Sequence, residues 1–121
     1  MIISNPTGKL GEEIAEKYFI KLGYKIIERN FRKGYGEVDI IATFQNTLVF
    51  IEVKTRTTSL YGGAMEAIAY YKLKSLIKTA QFYKMLHPNL PESLRIDAIL
   101  IDLNSSNNVK NIEHLENISG F

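Results

Sequence analysis

Residues 36–56 of this chain, GEVDIIATFQNTLVFIEVKTR, form two apolar segments separated by the polar pair Gln45-Asn46. This pattern predicts a β-hairpin. Asp39 lies on the first predicted strand, and Glu52 and Lys54 lie on the second. Strands as apolar as these are expected to be buried in a sheet, where an unpaired carboxylate or ammonium group costs several kcal/mol. Any fold that the chain adopts must therefore supply partners for three ionisable groups on one hairpin.

The spacing of these ionisable groups leaves two interpretations open. Side chains alternate between the two faces of a strand, so Glu52 and Lys54 share one face and could form a simple ion pair at a strand end. Alternatively, the register of the hairpin could place the Asp39 carboxylate within reach of Glu52. Two carboxylates then suit Mg²⁺ or Mn²⁺, which prefer hard oxygen ligands. The D…ExK triplet alone does not decide between them, because such triplets often arise by chance.

A third acidic residue that needs a partner lies on the first predicted helix, which begins at Pro6 and ends before Gly23. Glu13 is explained by favourable charge near the helix N-terminus. Glu12 is different, because it lies three and seven residues before members of the helix's apolar stripe. We therefore expect Glu12 to face inward, where a cation site would provide its partner.

Hydrophobic periodicity and turn residues predict the remaining organisation. The predicted order is helix, strand, strand, strand, helix, strand, strand, at residues 6–22, 24–31, 37–43, 47–55, 64–86, 94–103 and 109–118. This order predicts one α/β domain spanning residues 1–121, with a mixed central sheet flanked by helices. The last strand is the least apolar and is expected at an edge of the sheet.

Several charged residues outside the hairpin have ordinary explanations. Lys72 lies beside the core face of the second predicted helix, and geometry alone favours a lysine that extends into solvent. Lys84, farther along that helix, is also expected to be solvated. Arg95 and Asp97 share one face of a predicted strand, and a structural ion pair is the favoured account. The two histidines are far apart in sequence and receive no role as metal ligands.

Composition excludes some classes of protein. Fifteen Lys and Arg residues against thirteen Asp and Glu residues give a net charge of +2, which does not by itself indicate a nucleic-acid partner. The chain has no cysteine, so disulfides and thiolate metal sites are excluded. No signal peptide is recognisable, and no apolar run approaches the roughly 20 residues that span a bilayer. We expect a soluble cytoplasmic protein that does not associate with a membrane.

Four motifs together resemble the YraN-like family of small bacterial proteins, within the PD-(D/E)xK, or restriction-endonuclease-like, nuclease superfamily. They are GKLGEEIAEKYF at 8–19, ERNFRKGYGEVDIIA at 28–42, VFIEVKTR at 49–56 and RIDAILID at 95–102. The resemblance covers most of the chain up to about residue 103. It implies a restriction-endonuclease-like α-β-β-β-α-β core and a likeness to archaeal Holliday-junction resolvases.

The resemblance also implies catalytic roles. Asp39, Glu52 and the helical acid Glu12 would bind Mg²⁺ or Mn²⁺, and Lys54 would orient a water molecule or stabilise charge at the reacting phosphate. The implied activity is metal-dependent endonucleolytic hydrolysis of phosphodiester bonds in DNA, with branched or junction DNA as a candidate substrate. The alternatives are a non-catalytic nucleic-acid-binding module on a nuclease-like scaffold, and a structural subunit whose acids are only salt-bridged.

Contacts to nucleic acid are implied by the same resemblance. Arg56 and Lys72 match typical family positions and would bind phosphates that flank the site, Arg56 through bidentate hydrogen bonds. Glu37, in the GEVD motif, also matches a family glutamate. The expected partner is DNA, and a two-fold symmetric junction would call for a homodimer.

Overall fold

The computed structural model describes residues 6–34, 36–57 and 70–120 of the chain. The elements are α1 (Pro6–Lys21), β1 (Lys25–Lys33), β2 (Gly36–Phe44), β3 (Thr47–Arg56), α2 (Tyr70–Leu86), β4 (Ser93–Leu103) and β5 (Val109–Leu115). Their order is the predicted one and includes the expected α-β-β-β-α-β core. The first part of the second predicted helix, residues 64–69, lies outside the described residues.

The five strands form one mixed sheet in the order β1-β2-β3-β4-β5. Only β3 and β4 pair in parallel, and the other three pairings are antiparallel. A parallel pair needs a crossover connection, and α2 lies within that connection. β5 is an edge strand, as predicted, although it ends at Leu115 rather than at residue 118. The predicted α/β class with a mixed sheet flanked by helices is therefore confirmed.

In the described part of the chain, one helix covers each face of the sheet. α1 packs through Ala15 and Phe19, whose spacing of four places them on one side of the helix. It ends as predicted before Gly23, whose φ of 96° lies in the left-handed region. α2 packs on the opposite face through Leu76 and Tyr83. Neither helix in the described ranges has the length and apolar character needed to cross a membrane.

β2 changes face at Asp39. Ile40 packs in the cluster under α1, whereas Val38 packs in the cluster under α2. Residues two apart on a regular strand share a face, so the regular alternation of side chains is interrupted between Val38 and Ile40. On β1, Asn30 lies between the residues that pair with Ile40 and Val38, and its φ of 55° is left-handed. The left-handed region is one that Asn tolerates, so this irregularity is consistent with its sequence.

The Arg95–Asp97 ion pair is present as predicted. The Arg95 guanidinium donates two hydrogen bonds to the fully buried Asp97 carboxylate, at 2.8 and 2.9 Å. The carboxylate also accepts the backbone N–H of Asn117 at 3.0 Å and lies 2.8 Å from His114 Nε2. Burial raises the pKa of Asp97, but its hydrogen bonds outweigh burial and lower the pKa overall. This network anchors β5 and the segment after it to the core.

Lys84 departs from the prediction. Its side chain is only 14% exposed, and its ammonium donates to the carbonyl oxygens of Pro88 and Leu90, at 3.0 and 2.7 Å. It also pairs with Glu92 at 3.1 Å. A lysine in the last turn can satisfy the carbonyl groups near the end of a helix. Lys84 therefore stabilises the connection from α2 to β4 instead of extending into solvent.

Candidate active site

The site begins where β2 and β3 stop pairing. Their register runs from Phe44 and Thr47, beside the turn, to Ile40 and Ile51. At the next position the backbone N–H of Val53 donates to the Asp39 carboxylate at 2.8 Å. The Asp39 carboxylate thus replaces a backbone carbonyl group as the acceptor for this N–H group. The change of face in β2 turns Asp39 toward β3, and the hydrogen bond holds its carboxylate there.

Glu52 lies beside Asp39 and is almost fully buried, with 3% of its surface exposed. It follows Leu48 and Phe50 on the face of β3 that α2 covers. The two carboxyl groups are close enough for Glu52, when protonated, to donate a hydrogen bond to Asp39. Among the residues that the structure describes, no hydrogen-bond donor reaches the buried Oε1 atom of Glu52. A buried acceptor without a donor fits a bound cation.

Ionisation of both members of the Asp39–Glu52 pair, called the acid pair below, is unfavourable. Burial and, next, the negative charge of Asp39 raise the pKa of Glu52 to about 8. Burial also raises the pKa of Asp39, although the Val53 N–H group opposes this change. Both carboxyl groups can ionise near neutral pH only if positive charge is placed beside them. Two nearby lysines already oppose these pKa shifts, and a divalent cation could provide the remaining positive charge.

Two ammonium groups approach the acid pair from different elements. Lys54 Nζ on β3 and Lys72 Nζ on α2 each lie 3.8 Å from Oε2 of Glu52. Lys54 is where strand alternation predicted it. Lys72 points to the site rather than away from it, contrary to the expectation from helix geometry alone. Gly36 explains in part why Lys72 points to the site. A Cβ atom at residue 36 would overlap Ser75 Oγ, so the absence of a side chain at Gly36 lets α2 lie close to β2.

Glu12 lies on the α1 side of the site. Burial, and then the charge of Asp39, raise its pKa, so the two acids sense each other. Gly11 permits this approach, because a Cβ atom at that position would lie 1.7 Å from Oγ1 of Thr55 on β3. Within the parts of the chain that the structure describes, however, no three Asp, Glu or His side chains are close enough to hold a metal ion. The structure thus unites Asp39 with Glu52 and leaves Glu12 to one side.

Arg29, which was not predicted from the sequence, is the ion-pair partner of Glu12. Its guanidinium lies 3.4 Å from Glu12 and 3.2 Å from Glu16. The four-residue spacing of these two acids on α1 was the available signal, since side chains at i and i+4 lie together on a helix. Their partner could not be identified, because regular alternation along β1 fails at Asn30.

Arg56 and Glu37 have ion-pair partners outside the acid pair. Arg56 Nε donates a 2.6 Å hydrogen bond to Asp102 on β4, and that carboxylate is buried. Glu37 pairs with Arg32 at 2.9 Å across the β1–β2 hairpin. Its charge adds to the effects that raise the pKa of Asp39, of which burial is the largest.

Two solved structures are similar to this chain at low sequence identity. One is described as an EndoMS-dsDNA2 complex, with a TM-score of 0.45 and 17% identity over 87% of this chain and 40% of that chain. The other is SfsA of Pyrococcus furiosus in complex with Ca²⁺, with a TM-score of 0.38 and 20% identity over 91% of this chain and 62% of that one. This chain spans less than two thirds of either.

Sequence relatives match over almost their whole length. A UPF0102 protein of Persephonella marina (strain DSM 14350 / EX-H1) is 40% identical over 109 residues, which cover 90% of this chain and 94% of the relative. A UPF0102 protein of Clostridium botulinum (strain Hall) is 43% identical over 113 residues, covering 91% and 90%. A model described as "Uncharacterised protein family UPF0102" matches residues 11–101. The chain therefore belongs to family UPF0102, which confirms the family that its motifs indicated.

Proposed function

We propose that this protein is a divalent-metal-dependent endonuclease that hydrolyses phosphodiester bonds in DNA. One observation carries the proposal: Asp39 and Glu52 are brought together where β2 separates from β3, beside two ammonium groups. A hairpin built only for stability gains nothing from two adjacent acids, because each raises the free energy of ionising the other. The arrangement supports a site whose charge is completed by a ligand.

Asp39 and Glu52 would hold the cation, with Glu12 as a third acid on the α1 side. The donor set fits Mg²⁺ or Mn²⁺, because it consists of carboxylate oxygens and includes a buried oxygen to which no described residue donates a hydrogen bond. When bound, such an ion supplies Lewis acidity, which activates water and polarises a phosphoryl oxygen. Glu12 is held by Arg29 and influences the site through its charge beside Asp39.

The remaining side chains would act on the phosphate. Lys54 is close to the acid pair, so its ammonium can stabilise the negative charge that develops on the phosphate as the P–O bond breaks. Arg56 follows two residues later on the same face of β3, and Asp102 fixes the orientation of its guanidinium. Arg56 and Lys72 would contact phosphates that flank the reacting one. A nucleic-acid backbone bound in this way lies across the end of the β2–β3 hairpin.

A non-catalytic DNA-binding module is the second candidate. The observation that favours it is that the described residues hold no cluster of three acids or histidines. Against it, carboxylates that face a phosphate backbone weaken binding unless a cation neutralises them. A module that only binds DNA would be expected to lack such acids. The acid pair therefore favours the nuclease.

The preference for branched or junction DNA comes from the family resemblance alone. A four-way junction has two-fold symmetry, so its symmetric cleavage would require two active sites and thus a homodimer. The preference for junction DNA and the homodimer both extend the proposal, and cleavage of a panel of DNA substrates tests the preference.

The decisive experiment is a cleavage assay on junction, flap, duplex and single-stranded DNA, and on the corresponding RNA, with Mg²⁺, Mn²⁺ or EDTA. We expect incision that requires the divalent ion. Asp39→Asn protein, purified in parallel, is the control for contaminating nucleases and should not cut. Binding of DNA without incision of any substrate would favour the binding module instead.

A further inference from the structure

One oxygen atom of Glu52 is shared by two lysines. Lys54 and Lys72 place their Nζ atoms at the same 3.8 Å from Oε2, although they come from a strand and from the helix above it. The D…ExK motif accounts for one lysine only. The two differ in exposure, with 42% of the Lys54 side chain exposed but 28% of the Lys72 side chain. The helical lysine is therefore the more enclosed of the two.

The packing of α2 holds Lys72 in this position. Leu73, the next residue, packs in the core, and Leu76 one turn later is buried. The close contact between Gly36 and Ser75 brings the same part of the helix onto β2. A long side chain loses rotamer freedom when it is ordered between a helix and a sheet, and that loss must be offset by an interaction. Lys72 makes such an interaction with the acid pair.

Lys72 acts on both acids. Burial is the main cause that raises the pKa of each carboxyl group, and Lys72 opposes that rise for Asp39 as well as for Glu52. A lysine that only bound phosphate would be expected to lie nearer the protein surface, where its ammonium group stays hydrated until DNA binds. Lys72 already has negative partners in the protein itself.

We propose that Lys72 is a built-in counter-cation, which neutralises the Asp39–Glu52 pair when no divalent ion is bound and is displaced from it when one binds. The second half of this statement rests on the proposed metal site, whereas the first half does not. A displaced ammonium would be available to a phosphate oxygen. Metal binding and DNA binding would then strengthen each other, because each favours the same arrangement of Lys72.

The test compares Lys72→Gln with Lys54→Gln, and with Lys74→Gln as a matched control on the exposed side of α2. Thermal unfolding is measured in EDTA and in saturating Mg²⁺ at about pH 8.5, where most of the Glu52 carboxyl is ionised, and Mn²⁺ affinity is measured by calorimetry. In EDTA, Lys72→Gln should lower Tm by roughly 5 °C or more, and by more than either other variant. Saturating Mg²⁺ should remove most of this difference. Mn²⁺ should bind Lys72→Gln several-fold more tightly than wild type, since a competing positive charge is gone.

A second variant separates this effect from general damage to the helix. Adding Glu52→Gln to Lys72→Gln should restore the Tm measured in EDTA, because the charge that needed compensation is also removed. If Lys72→Gln and Lys54→Gln unfold alike in EDTA, the counter-cation role is wrong, whatever metal does. If Lys72→Gln is selectively destabilised but Mg²⁺ stabilises no variant, the compensation stands and the metal site proposed above fails. Unchanged Mn²⁺ affinity would contradict displacement.

Discussion

The Asp39 carboxylate accepts a 2.8 Å hydrogen bond from the backbone N–H of Val53 on the neighbouring strand. The bond closes the β2–β3 hairpin at the level where backbone pairing has ended. It also fixes Asp39 beside Glu52 without using all of its lone pairs, since a carboxylate has about four acceptor sites. The same contact therefore maintains the fold and leaves oxygen available for a cation.

Asp39→Asn should remove most of the stabilisation by divalent cations. We expect Mg²⁺ or Mn²⁺ to raise the Tm of the wild type, because an ion that binds only the folded state stabilises it by mass action. The Asn side chain can still accept the Val53 N–H bond, but it brings no negative charge. Thermal unfolding at several cation concentrations measures both effects. Equal shifts in the two proteins would rule out a cation site at Asp39.

The metal-free protein should lose stability as pH rises, and Glu52→Gln should lose less. The folded-state pKa of Glu52 is raised from 4.5 to about 8. Between these values the unfolded chain has released a proton that the folded protein retains, so rising pH favours unfolding. The difference between the two proteins should grow through this range and then level off.

Urea unfolding in EDTA at about pH 5 and about pH 8 measures this difference. Each pKa unit corresponds to about 1.4 kcal/mol, so the stability of Glu52→Gln relative to wild type should rise by a few kcal/mol between the lower and the higher pH. Mg²⁺ should reduce the difference, because it stabilises the ionised site. Parallel pH profiles would show that Glu52 is not titrating abnormally.

Lys54→Ala should lose cleavage and keep most of its DNA binding. Its single ammonium acts where charge develops in the transition state, and loss of such a group typically costs about 10²–10³ in rate. Binding, in contrast, is a sum over many phosphate contacts. Single-turnover cleavage and salt-dependent affinity should be measured beside Lys74→Ala, which should change neither. A Lys54→Ala enzyme that cuts at the wild-type rate would leave the nuclease mechanism without support.

Arg56→Ala should weaken cleavage and DNA binding together and should also destabilise the protein. Removing the guanidinium leaves the buried Asp102 carboxylate without its 2.6 Å partner. Such a loss costs about 2 kcal/mol or more. Urea unfolding measures the cost, and the double variant Arg56→Ala/Asp102→Asn should recover part of it. Equal stability of Arg56→Ala and wild type would show that the pair contributes little.

Gly36→Ala should force the Ser75 hydroxyl into another rotamer where α2 contacts β2. The new Cβ atom would overlap Ser75 Oγ, which ends a rotatable side chain, so we expect a cost near the lower end of the about 1–3 kcal/mol typical of overpacking. In Gly36→Ala/Ser75→Ala the hydroxyl is gone, and the Cβ atom of residue 75 lies 3.8 Å away, an ordinary contact. The double variant should therefore recover most of the lost Tm. If it does not, strain elsewhere in β2 is the cause.

The local sequence pattern was sufficient to predict the helices and strands and to place Glu52 and Lys54 on one face of β3. The strand predicted at 47–55 is β3 (Thr47–Arg56), because its apolar residues and turn residues are local signals. Alternation along that strand also placed Glu52 and Lys54 on one face, as observed. The Arg95–Asp97 pair followed from the same rule. Each of these features depends on residues that are close in sequence.

The sequence by itself determined the element order, the apolar hairpin and the acids that it carries. Only the tertiary structure decided which way those acids face. The change of face in β2 at Asp39 depends on the pairing of β2 with β1, where Asn30 has a left-handed φ. This change interrupts the side-chain alternation that is assumed when a strand is predicted from sequence. Lys72 reaches Glu52 because α2 packs closely on the sheet. Such contacts join residues far apart in the chain, so no local pattern records them.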